Sequence, residues 1–203
     1  MPIPKIRVFV SSPGDVAEER VIAGRVLDRL AAEFARVARI EAVFWEHEPL
    51  LATETFEKQI IRPSETDIVV NILWSRLGTR LPKDIQRPDG TNYDSGTEFE
   101  FEDAVEGRRR RGAPDLIVYR KMAEPTVSLS DPTNVRDRLD QKQALDNFIQ
   151  SWFHGEDGTI VAAFHPFDEV DQFEGLLETH LHKLVRARLQ AKGIAQHADA
   201  ETI

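Results

Sequence analysis

A three-layer α/β fold, with a five-stranded parallel sheet covered by helices on both faces, is what this sequence predicts. Three observations carry that reading: short β-branched apolar runs recur along the chain, amphipathic helical stretches follow them, and turn-forming residues mark the junctions. Parallel neighbours need a long right-handed crossover, which a helix supplies, so the alternation implies a Rossmann-like sheet.

Ile6 to Val10 forms the first expected strand, closed by the turn residues Ser11-Ser12-Pro13-Gly14-Asp15. From Asp15 onward Val16, Ala23, Leu27, Leu30, Ala31 and Phe34 recur at helical spacing, with Ser12 or Asp15 as the expected cap. Ile40 to Trp45 is the second strand, Thr53 to Ile61 a short helix ended near Pro63, and Thr66 to Leu73 the third strand. The nearly unbroken apolar character of the third strand places it at the sheet centre. A polar loop with Pro82, Pro88 and Gly90 leads to a helix from about Ser95 to Arg110, and Asp115 to Tyr119 is the fourth strand. The loop from Met122 to Arg136 precedes a helix with Leu145, Phe148, Ile149 and Trp152 on one side. Thr159 to Phe164 is the expected fifth strand, and Phe173, Leu176, Leu177, Leu181, Leu184, Val185 and Leu189 stripe a final helix. Residues 1–190 are assigned to this α/β domain and the polar stretch 191–203 to a tail or linker.

Composition narrows the function classes. A chain of 203 residues matches one domain with one buried core. With no cysteine, disulfides, iron–sulfur clusters and thiol catalysis are excluded. Neither a signal-peptide pattern nor a membrane-length apolar run is evident, so a cytoplasmic protein without membrane contact is expected. A net charge of -9 disfavours nucleic acid as the primary partner. His180 and His182 lie two apart on a helix and point apart, and Glu46-His47-Glu48 lacks partners at ligand spacing, so no metal site is expected.

Open parallel sheets bind ligands at the carboxyl ends of their strands. Those ends are Ser11-Ser12, Phe44-Trp45-Glu46, Trp74-Ser75-Arg76 and Arg120-Lys121. Beside them, Ser95-Gly96-Thr97-Glu98-Phe99-Glu100-Phe101-Glu102-Asp103-Ala104 opens a helix with several carboxylates. Acids in a first helical turn are stabilised by the helix dipole, which explains their type without any chemistry. Their place beside the rim, with aromatic neighbours able to desolvate a carboxylate, makes Glu98 and Glu100 the candidate catalytic groups, and spacing does not choose between them. The turn from Ser11 through Ser12 to Asp15 offers hydroxyls and amides to a ribose or phosphate, although it also reads as a plain strand-to-helix turn. Neither a dinucleotide fingerprint, a phosphate loop nor a nucleophile elbow is present. Trp74, Ser75, Arg76 and Arg80 place an indole and two guanidiniums on the rim, suited to a base and phosphates or to loop packing, and Trp45 invites the same two readings. The run Arg108 to Arg111 before Gly112 fits a helix carboxyl terminus better than a nucleic-acid patch.

Taken together, Arg7-Val8-Phe9-Val10-Ser11-Ser12-Pro13-Gly14-Asp15 with Glu19-Arg20, Trp74-Ser75 with Gly78, and Ser95 through Phe101 with Ala104 resemble a TIR-like domain family of otherwise unassigned function. That family occurs at the amino terminus of NACHT-type and other signal-transducing (STAND) NTPases and of tetratricopeptide-repeat proteins, and the resemblance spans about residues 5 to 120. Its wider relatives, TIR domains and nucleoside deoxyribosyltransferases, cleave N-glycosidic bonds with a glutamate near the start of the helix after the third strand. In them a large apolar residue follows the glutamate and a small one lies four positions on, as Glu100-Phe101 and Ala104 reproduce, so the resemblance implies Glu100 first and Glu98 second. The tryptophan that precedes the glutamate in true TIR domains is absent.

The resemblance implies an NAD-consuming N-glycosidase switched on by self-association through a fused or separate NTPase or repeat sensor, as in immune or anti-phage signalling. NAD would be substrate rather than cofactor. Phe9, Trp45 or Trp74 would stack on a base, Ser11 and Ser12 would bind ribose, and Arg76 or Arg80 would hold the pyrophosphate. Two other expectations stand beside it: a non-catalytic docking module with the same fold, and transfer or hydrolysis on a free nucleoside or nucleotide.

Overall fold

A computed structural model describes residues 3–44, 61–83, 85–128, 130, 132–155, 157 and 159–191. The elements run β1 Lys5–Ser11, α1 Ala17–Phe34, β2 Arg39–Val43, a 3-10 turn Pro63–Glu65, β3 Ile68–Leu73, α2 Gly96–Arg111, β4 Asp115–Lys121, α3 Pro132–Phe153, β5 His165–Phe167 and α4 Val170–Ala191. All five strands pair in parallel in the order β2-β1-β3-β4-β5. The fold is therefore the three-layer Rossmann-like α/β arrangement. The direction in which successive strands are added to the sheet reverses between β1 and β3, the place where such sheets open a crevice.

Strand alternation sends side chains to two different layers. Ile6, Val8 and Val10 of β1, Ile68, Val70 and Ile72 of β3, and Tyr119 of β4 pack against Leu27 and Leu30 of α1 and Leu177, Leu181 and Val185 of α4. On the opposite face Leu73 and Val118 meet Phe101 of α2 and Leu145, Phe148 and Ile149 of α3. Phe9, Val43, Val69 and Ala104 close a smaller cluster on that same face. Buried on both sides, β3 has all six residues out of solvent, in keeping with its central place.

Two expectations change. The fifth strand is His165–Phe167, not Thr159 to Phe164, and pairs Tyr119 with His165 and Lys121 with Phe167. Ile160 and Val161 instead lie 77% and 68% exposed just before it. A three-residue edge strand is too short to leave a period, and its partner strand decides its place. The residue before α1 is Val16, which caps nothing through its side chain, while Ser12 and Asp15 are engaged elsewhere. Residues 53–60 of the helix expected from Thr53 to Ile61 and residues 192–203 of the expected tail lie outside the described residues, while Ala191 ends α4.

Candidate functional site

The carboxyl ends of β1 and β3 meet α2 through an unbroken hydrogen-bonded chain. Register places Ser11 opposite Asn71. Both follow, two residues on, the apolar Phe9 and Val69 that face Ala104 of α2, so both point toward that helix. Each is fully buried. Asn71 Nδ2 donates to Ser11 Oγ at 3.0 Å, and Ser11 Oγ donates to Glu100 Oε2 at 2.6 Å. The second distance is in the range of a hydroxyl bound to an ionised carboxylate. Glu100, on the second turn of α2, is partly buried. Asn71 Oδ1 is buried and finds no partner among the described residues.

Glu98 has a different environment. Ser95 caps α2, its hydroxyl accepting from the Glu98 amide at 3.1 Å, and Glu98 Oε2 accepts from the Asp94 amide at 2.6 Å. This reciprocal arrangement satisfies donors at the start of the helix in the manner of a capping box. Arg87 Nη2 lies 2.9 Å from Glu98 Oε1. Burial raises the Glu98 carboxyl above its ordinary range, with the Asp94 amide and Arg87 pulling the other way. Its oxygens are thus committed to the helix start and the loop before it.

Arg87 also forks onto Glu102, with Nε at 3.0 Å from Oε2 and Nη2 at 2.8 Å from Oε1, and its guanidinium lies 4.4 Å from the Tyr93 ring centroid. The Glu102 bonds, then the charge of Glu98, keep Arg87 protonated well above its ordinary range. The loop is tied further by Gln141 Oε1 of α3, which accepts from the Gly78 amide at 3.1 Å. Gly78 has φ of 121°, and a Cβ there would lie 3.0 Å from Thr97 Oγ1, so the turn requires glycine.

Several other rim residues are engaged within the fold. Phe9 is wholly buried in the core, so its ring packs instead of facing a ligand. Ser12 Oγ accepts from Arg20 Nε at 2.8 Å, and Arg20 Nη2 also reaches the Pro13 carbonyl at 2.9 Å. Asp15 Oδ2 accepts from both the amide and hydroxyl of Ser75, at 2.9 and 2.8 Å, joining the turn after β1 to the end of β3. Trp74 donates its indole N–H to the Ala123 carbonyl at 2.7 Å, and Lys121 Nζ lies 4.6 Å from its ring centroid. Lys121 is paired in turn with buried Glu19 at 2.6 Å. Arg76 is partly buried and Arg80 exposed, and Trp45 lies outside the described residues.

A cleft of about 480 Å³ opens between the starts of α1 and α4, lined by Glu18, Trp74, Lys121 and Asp168 among others. Of the two candidate carboxylates neither lines it. Among the described residues no group of histidines and carboxylates is placed to hold a metal ion, and no helix is long and apolar enough to cross a membrane.

Sequence reasoning passed over Asn71, Arg87 and the Glu19–Lys121 pair. Asn71 left a signal, a lone amide inside an otherwise apolar central strand, where a buried polar group must find a partner. Arg87 left none, because its partners lie on a helix whose approach to the loop depends on the fold.

No protein-family model matches the chain, and no curated protein matches it. Fold and geometry define a Rossmann-like α/β protein that carries a hydrogen-bonded carboxylate beside its topological switch point.

Proposed function

We propose that this domain cleaves the N-glycosidic bond of NAD or a related nucleotide, with Glu100 as the catalytic carboxylate. The observation that carries the reading is the partly buried Glu100 side chain held by Ser11 at the carboxyl ends of β1 and β3. Cleavage of the bond from ribose C1′ to nicotinamide sends the bonding electron pair to the pyridine nitrogen and leaves an oxocarbenium-like sugar. A fixed carboxylate stabilises that cation by charge, or adds to C1′ as a transient ester; water then adds and gives up a proton, yielding ADP-ribose. The chemistry needs no metal. Arg80, exposed in the loop after β3, is the group assigned to phosphate contacts. Activation by self-association, through a fused or separate NTPase or repeat sensor, completes the proposal.

Its test is release of nicotinamide, or of the base from a nucleoside monophosphate, followed by mass spectrometry with the protein concentrated or forced to cluster. Glu100→Gln is expected to lower release about 100-fold or more while the fold stays intact. Glu98→Gln is expected to cost stability rather than turnover. Loss of turnover in Glu98→Gln with retention in Glu100→Gln would exchange the two roles. No release from any of these substrates would leave a docking fold.

A further inference from the structure

We infer that Asn71 and Ser11 are positioning residues, a directional pair that fixes Glu100 as an anion facing the sugar, and that Ser11 does not bind ribose. The inference rests on the glycosidase reading for its purpose, but its geometry stands by itself. Asn71 Nδ2 can only donate, so the Ser11 oxygen must accept from it, at 3.0 Å. The single Ser11 proton is then directed to Glu100 Oε2, 2.6 Å away. Full burial of Ser11 and Asn71 removes water as a competing partner for that proton. The parallel register that sets Ser11 against Asn71 keeps both donors on rigid strands, which holds a side chain more closely than a loop would.

Two consequences follow. A carboxylate that accepts a fixed hydroxyl proton is favoured in its ionised form, the form needed to stabilise an oxocarbenium ion or add to C1′. The serine, fully buried and with its one proton pointed at Glu100, is left neither as nucleophile nor as ribose ligand.

Two variants test the pair. Asn71→Asp keeps the shape but replaces the donor with an acceptor, which draws the Ser11 proton away from Glu100 and adds a like charge. Ser11→Ala removes the hydroxyl alone and serves if the buried aspartate impairs folding. Carbon-13 NMR of the Glu100 carboxyl, assigned by its loss in Glu100→Gln, is expected to titrate about one pH unit higher in both variants than in the parent protein. With a substrate that turns over, kcat is expected to fall about tenfold with KM within about twofold, and the acidic limb of the rate profile to move to higher pH. Unchanged titration in both variants would overturn the inference even if Glu100 proved essential. Shifted titration in a protein that releases no base would uphold the pair and remove the glycosidase reading.

Discussion

Glu98 and Glu100 stand two residues apart on one helix and meet opposite fates. Glu98 turns back onto the cap and Arg87, whereas Glu100 turns toward the strand ends. Because burial raises the Glu98 carboxyl, the native state holds its proton to higher pH than the unfolded chain, whose reference value is 4.5. The native state then binds more protons between those two values, so this group's contribution to stability is greatest below the unfolded value and declines as pH rises through the native one. Chemical denaturation across pH should show the parent protein losing stability relative to Glu98→Gln over that interval; parallel curves would refute the assignment. Glu19 offers a second test at this scale. Its side chain is 2% exposed against 15% for Lys121. Removing one partner of a buried pair strands the other, so Glu19→Ala should cost about 3 kcal/mol in urea unfolding. Neither environment was legible beforehand, since an acid in a first helical turn has the same local sequence whether it caps, pairs or catalyses.

At the scale of elements, α2 is the piece on which the site depends. Ser95 begins it, Gly112 ends it with φ of 72°, and Arg108 bonds to the Gly112 carbonyl at its carboxyl end. Those start and stop signals are local, which is why the expected span from Ser95 to Arg110 nearly coincides with the observed one. Packing of the helix is not local. Gly107 sits so close to the 3-10 turn that an added Cβ would lie 2.8 Å from Ser64 Cα. Gly107→Ala should therefore destabilise the protein by about 1–3 kcal/mol despite the better helix propensity of alanine, as thermal unfolding would reveal. Arg87 clips the preceding loop to Glu98 and Glu102. Arg87→Ala is expected to raise amide exchange in that loop while the sheet stays protected; unchanged exchange would deny the clip its role. β5 escaped the sequence reading because three residues carry no period, and the apolar Ile160 and Val161 that imitated a strand are exposed.

Across the whole molecule, the two helical layers are pinned to the sheet by different chemistry. One side is mainly apolar around Phe101 and Phe148, while the α4 side includes a polar inset, Tyr119 O–H bonded with His180 Nδ1 at 2.9 Å and the His165 ring 4.3 Å from that of His180. Burial, then the charges of His165 and Lys183, lowers the His180 value below the ordinary 6.5. The unfolded chain thus binds the proton first as pH falls, so stability from this inset is present above 6.5 and is lost as pH drops through the native value. Thermal unfolding between pH 7 and 5 should fall more steeply in the parent protein than in His180→Gln. By itself the amino-acid sequence determined the layer architecture, most strand and helix spans and the rim on which polar loops gather, because period, caps and turns act within a few residues. Tertiary structure alone decided that Asn71 lies beside Ser11 and under Glu100, that Glu98 is spent on its own helix, and that Phe9 is core. Those outcomes depend on strand register and helix approach, which join residues 60 and 89 positions apart and leave no trace in local spacing.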